Sequence, residues 1–226
     1  MDEVTAELLS QKIHIAKEPI VREEYEMIFL QGLLASNLNN KLIFKGGTAL
    51  RMAYGSPRFS EDLDFALKSS IKQEEFDRVV RRVVEPLPTV EIKELAEKHY
   101  THFALLVVKE PYLRQAFSIK IEVSKRPVLW RAEQDFISQR CKSEVGSLEA
   151  VGLVVTLKRA FLDKKRAVKI RQKARDWFDL WWLGGKLGKP TDFKFSKTEL
   201  VKIRAELNQF LPEHMRKVVD LWRKDE

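Results

Sequence analysis

The sequence predicts an α/β (α+β) chain in two lobes, a mixed-sheet α/β lobe over residues 1–125 and a mostly helical lobe over residues 126–226. Three observations predict it. Two glycines punctuate a strand-to-helix step at Lys45-Gly46-Gly47, period-two alternation of charged and apolar residues recurs between Asp62 and Ser124, and beyond about Arg126 the pattern becomes linker-like and then helical. With 226 residues, 44% hydrophobic and 33% charged, the chain can bury a sizeable core in each lobe. No apolar run approaches the roughly 20 residues that span a bilayer. The charged start Met1-Asp2-Glu3-Val4 does not lead into the apolar core of a signal peptide, so a cytoplasmic protein with no membrane partner is expected.

Taken in order, Val21 to Leu38 carries Tyr25, Ile28, Phe29 and Leu33 at helical spacing without proline and reads as a core helix. Leu42-Ile43-Phe44 is a short strand ending in the glycine turn, and a helix resumes from Thr48 to Tyr54. Gly55-Ser56-Pro57 breaks it. Asp62 to Leu67 alternates as a strand with one wet face, and Ile71 to Val84 is an amphipathic helix closed by Pro86 and Pro88. Thr89–Leu95, His102–Lys109 and Gln115–Ser124 then form a strand meander. Helices are expected at Leu153–Leu162, Ala174–Leu183, Lys197–Phe210 and Glu213–Trp222. Trp177, Trp181 and Trp182 fall at packing intervals and belong to a core rather than to a base-stacking platform.

Asp62 and Asp64 lie two apart on a strand, so both carboxylates leave the same face about 7 Å apart along the chain. Hard divalent cations prefer oxygen ligands, and paired carboxylates with substrate phosphates are a usual magnesium site; a solvated strand edge carries the same pattern. The single cysteine, Cys141, excludes an internal disulfide and a cysteine metal site, and the four histidines lack ligand spacing. Bare N–H groups at Gly46 and Gly47, where a helix starts, can take a phosphate, with the Thr48 hydroxyl beside them. The ending of a P-loop and the spacing of a dinucleotide fingerprint are both missing.

The string Phe44-Lys45-Gly46-Gly47-Thr48-Ala49-Leu50, followed by Arg58-Phe59-Ser60-Glu61-Asp62-Leu63-Asp64-Phe65, resembles the signature of the DNA polymerase β-like nucleotidyltransferases. Within that superfamily it is similar to the AbiEii/AbiGii toxins of type IV toxin–antitoxin or phage-defence pairs. The resemblance implies a polymerase β-like lobe with NTP held by Gly46, Gly47, Thr48, Ser60 and Lys158. It implies magnesium, or manganese in its place, on Asp62, Asp64 and a third carboxylate, for which Glu122 in Ile119-Lys120-Ile121-Glu122-Val123 is the candidate. Leu157-Lys158-Arg159-Ala160 resembles the lysine helix of the family, and Lys173-Ala174-Arg175-Asp176-Trp177-Phe178-Asp179-Leu180 its basic-Asp-X-X-Asp element. By this resemblance Asp62, Asp64, Glu122, Lys158 and Asp176 are the catalytic set. Relatives often place Arg seven positions after the lysine; counted from Lys158 that position is Lys165.

The formal net charge is +8, much of it after residue 156, and nine of the eighteen residues from Lys158 to Arg175 are basic. Such a stripe suits an RNA phosphate backbone, or is a solvated helix face that partly serves NTP phosphates. The expected function is transfer of NMP from an NTP to an acceptor, with the tRNA 3′ end first to test and an antitoxin encoded nearby as partner. Nucleotidylation of a protein side chain and a non-catalytic RNA-binding module are the alternatives.

Overall fold

The computed structural model describes residues 1–224. Seven strands form one mixed sheet. They are β1 (Leu42–Lys45), β2 (Asp62–Leu67), β3 (Val90–Lys98), β4 (Thr101–Val108), β5 (Phe117–Ser124), β6 (Phe136–Lys142) and β7 (Glu149–Val155). Their order across the sheet is β3-β4-β5-β2-β1-β7-β6. The seven α-helices are α1 (Glu3–Ile13), α2 (Lys17–Leu34), α3 (Gly46–Tyr54), α4 (Gln73–Val84), α5 (Leu157–Arg171), α6 (Ala174–Lys186) and α7 (Lys197–Leu207). Glu213–Trp222, read from sequence as an ordinary helix, is a 3-10 segment.

The sheet separates two cores, and the strand period decides which residue serves which. Leu42 and Phe44 on β1 face a core built with α2 and α4, whereas Ile43 between them joins α5, α6 and α7 on the other side. Helix α4 buries Phe76, Val79, Val80 and Val84. Each such side chain contributes about 1.5–3 kcal/mol when fully removed from water. The second core takes Phe178, Trp182 and Trp222, with Trp177 and Trp181 packed against it, so the tryptophans of α6 are packing residues.

Strands β3 to β5 are the expected antiparallel meander, and β5 runs parallel to β2. Strands β6 and β7 depart from expectation. The sequence pattern predicts a linker after Arg126 and a helix from Leu153, whereas β7 pairs parallel with β1 and β6 closes that edge. The sheet therefore continues past residue 126, and α5 begins only at Leu157. Gly152 explains part of the difficulty. A Cβ there would stand 2.7 Å from Leu34 Cδ1, so the strand needs a side-chain-free position where α2 crosses it.

Candidate active site

Three carboxylates are gathered by strand register alone. Asp62 and Asp64 leave the same face of β2, and parallel pairing sets Glu122 directly beside Asp64. Leu63 and Phe65 point the other way and are fully buried, which fixes the phase of the strand. The charges feel one another. Burial raises the Asp62 carboxyl above its ordinary value, Lys120 opposes that shift, and Asp64 adds to it. Burial likewise raises Glu122, reinforced by the negative charges of Asp64 and Asp62.

An oxygen-only set whose members destabilise one another's charge suits a hard divalent cation. Among the described residues no three His, Cys, Asp or Glu side chains are already drawn into a compact ligand cluster. Asp62 is engaged by Lys120: its carboxylate accepts from the Lys120 N–H at 3.3 Å and lies 3.6 Å from the Lys120 ammonium.

The glycine turn is built around Asp64. Gly46 has φ 85°, and a Cβ on it would stand 2.5 Å from Asp64 Oδ2. Gly47 is closed in as well, because a Cβ there would overlap the Arg58 guanidinium and lie 2.8 Å from Ser60 Oγ. Helix α3 starts at Gly46 with no capping side chain, so its first N–H groups are available to an anion. Thr48 is buried, and its hydroxyl donates to the Asp62 carbonyl at 2.5 Å. That hydroxyl ties the turn to β2 instead of facing a ligand. Gly46→Ala is expected to cost about 1–2 kcal/mol of stability for the left-handed backbone. By displacing Asp64 it is expected to lower turnover roughly 10²-fold, the scale of a 1 Å misplacement. Steady-state rates set beside thermal midpoints separate the two effects.

Opposite the carboxylates, α5 supplies the other wall of a cleft of about 440 Å³ in which Asp64, Glu122 and Gly46 face Arg159, Lys164 and Arg171. Lys158 is exposed and does not line it. The lysine followed seven positions later by arginine is Lys164 with Arg171, and both reach the cleft. Lys164 sits 2.9 Å from Asp176 Oδ1 and 2.5 Å from Asp179 Oδ2. Two carboxylates occupy two of its three N–H donors, which leaves one for a phosphate. Asp176 is buried behind that lysine, is bonded also to Arg171 at 3.0 Å, and does not line the cleft. As placed, it positions the two cations.

Arg58 and Asp179 join the two walls below the turn. The Arg58 guanidinium donates to both Asp179 oxygens, at 2.7 and 2.9 Å, and both residues are buried. Burial pushes the Asp179 carboxyl upward, but the charges of Arg58 and Lys164 outweigh it and hold the group below its ordinary value. Neither Arg58 nor Lys164 received a role from the sequence. An Arg two residues before Ser60 and an Asp three after Asp176 were the available signals.

A glycine turn packed on an aspartate strand, a third carboxylate in parallel register and anchored cations across the cleft form a set suited to phosphate and a hard cation. Solved structures share the fold. The structure of JHP933 from Helicobacter pylori matches with TM-score 0.55 at 21% identity, over 85% of this chain and 74% of that one. The nucleotidyltransferase toxin MenT4 from Mycobacterium tuberculosis matches with TM-score 0.57 at 21% identity, over 80% of this chain and 64% of that one. No curated protein matches the sequence. The family profile described as the nucleotidyl transferase AbiEii toxin of type IV toxin–antitoxin systems matches residues 28–221, and the chain belongs to that family. No helix among the described residues is long and apolar enough to cross a membrane.

Proposed function

We propose that this nucleotidyltransferase moves NMP from an NTP to the 3′ end of an RNA, with tRNA as the first acceptor to test, and releases pyrophosphate. One observation carries the reading. The register of Asp64 against Glu122 sets carboxylates beside an uncapped helix start, directly across the cleft from Lys164 and Arg171. Magnesium, or manganese in its place, would be held by Asp62, Asp64 and Glu122, and would supply neutralisation of the phosphate charge together with a lower pKa for the attacking hydroxyl.

The chain's own groups supply the rest. N–H groups at Gly46 and Gly47 and the Ser60 hydroxyl bind triphosphate oxygens, and Lys164 and Arg171 stabilise the charge that builds on the leaving pyrophosphate. Glu122, whose carboxyl is raised above its ordinary value by burial and by the negative charges of Asp64 and Asp62, is the stronger base for it and is suited to take the acceptor proton. The basic stripe supports an RNA acceptor. Lys158, Lys165, Arg166, Lys169 and Lys173 are exposed and, unlike Arg159, Lys164, Arg171 and Arg175, take part in no ion pair among the described residues. Five unpaired cations along α5 and the turn that follows it can track a phosphate backbone. A partner antitoxin follows from the family and a cytoplasmic setting from the substrate.

The test incubates the protein with α-labelled NTPs, magnesium and total tRNA. Label that disappears on RNase treatment supports the reading; label that survives RNase and migrates with protein moves the acceptor to a protein side chain. Within this mechanism Lys164→Ala is expected to reduce transfer roughly 10–100-fold, the loss of one hydrogen bond to a charged group. Lys158→Ala is expected to change the chemical step less than about twofold, since surface charges away from such features have small effects. Single-turnover rates at saturating RNA distinguish them.

A further inference from the structure

We infer that Tyr100, at the tip of the β3–β4 hairpin, is the platform on which the terminal unpaired base of the acceptor strand stacks; this rests on the RNA acceptor proposed above. Tyr100 is 50% exposed although it is a large aromatic side chain. Lone exposed apolar residues are ordinary on a protein surface. This one lines the catalytic cleft, together with Thr101, Arg126 and Val128.

Its position is held from several sides. The Tyr100 carbonyl accepts from the Lys125 N–H at 2.7 Å, which pins the hairpin tip to the end of β5. His99 packs edge-on against the ring at 4.1 Å between centroids. The Arg126 guanidinium lies 5.4 Å from the ring centre, and Arg126 has no ion-pair partner among the described residues. A fixed ring with a cation beside it is the arrangement by which proteins hold unpaired nucleobases, the ring taking the π-face and the cation the neighbouring phosphate.

Register gives the distance to the chemistry. Thr101 pairs with Ser124, and Glu122 lies two residues back along β5 on the same face. Ser124 and Glu122 are about 7 Å apart along the strand, and Tyr100, one residue before Thr101, lines the same cleft as Glu122 and Asp64, so a strand whose base stacks on Tyr100 runs into the cleft that holds the carboxylates. Gly46 and Lys164, given above to the NTP, line the same cleft as Tyr100, so the Kd of NTP separates an acceptor platform from a stack on the NTP base.

The experiment measures KM for an RNA with an unpaired 3′ end and, separately, the Kd of NTP, in wild type, Tyr100→Ala and Tyr100→Phe. Tyr100→Ala is expected to raise the RNA KM roughly 5- to 150-fold, the range of one base–aromatic stack. NTP Kd is expected to stay within twofold, and Tyr100→Phe to restore the wild-type KM. An RNA KM for Tyr100→Ala within twofold of wild type would overturn the platform while leaving the RNA acceptor standing. A Phe variant as poor as Ala would overturn it too, by assigning the effect to the hydroxyl. Failure of the wild type itself to label any RNA would instead remove the acceptor reading and the platform with it.

Discussion

Asp64→Asn is expected to reduce nucleotide transfer by about 10²- to 10³-fold, the range for loss of one preorganised electrostatic group, while the protein remains folded. Asp64 is the middle carboxylate. Its charge raises both Asp62 and Glu122, its register partner is Glu122, and its side chain fills the space that Gly46 leaves open. The asparagine keeps the shape and removes the charge, so the glycine turn has no cause to move. Gathering like charges in a partly buried site costs stability, and relieving that repulsion is expected to leave the thermal midpoint equal to wild type or higher. Single-turnover assays with labelled NTP, run beside thermal unfolding, check both halves. Transfer near the wild-type rate would remove the carboxylate group from the chemistry, and a large fall in midpoint would make Asp64 a folding residue.

The second large effect concerns stability. Asp179→Ala is expected to cost about 3–5 kcal/mol, because it strands buried Arg58 without its counter-charge and takes from Lys164 one of its two carboxylate partners. Urea denaturation at neutral pH reads this directly. Its pH dependence has a defined sign. The folded carboxyl is held below its ordinary 3.8, so its stabilisation is fully present above that pH and is lost as pH falls through the lower folded value. Wild-type stability is therefore expected to decline below about pH 4 more steeply than that of Asp179→Asn, which has no such proton to take up. Equal slopes would show that the ion pair does not govern the acid limb.

Most of the first wall of the cleft was legible in the sequence, and the second wall was not. Strand β2 and its wet face followed from alternation, and the turn at Gly46 from two glycines between an apolar run and a helix. Glu122 came from the third carboxylate that the resemblance implies, offered by a strand whose apolar neighbours turn inward. Helix α5 was harder because basic residues recur along it at several phases. Lys158 and Lys164 differ by six positions, about 240° around a helix at 3.6 residues per turn, and composition cannot say which of them faces the carboxylates. The packing of Ala160 into the second core sets that phase. Thr48 was expected to meet phosphate because hydroxyls do so beside glycine turns, yet burial gave its hydroxyl to the Asp62 carbonyl. Strands β6 and β7 were missed because a glycine inside β7 and an apolar run leading straight into α5 hide the strand signal. The first helix, α1, shows little apolar periodicity, since it buries only Ala6 and leaves Val4 and Leu8 exposed.

The parallel pairing of β1 with β7 bears on when activity appears during synthesis. Ile43 pairs with Leu153, and Arg58 finds Asp179 later still in the chain. Contacts between such distant segments form slowly, and on a ribosome they cannot form until the later segment has emerged. The glycine turn and all three carboxylates leave the ribosome long before α5 and α6 do. A nascent or truncated chain that lacks α5 and α6 thus carries half a cleft, and catalytic capacity waits until those two helices have been made.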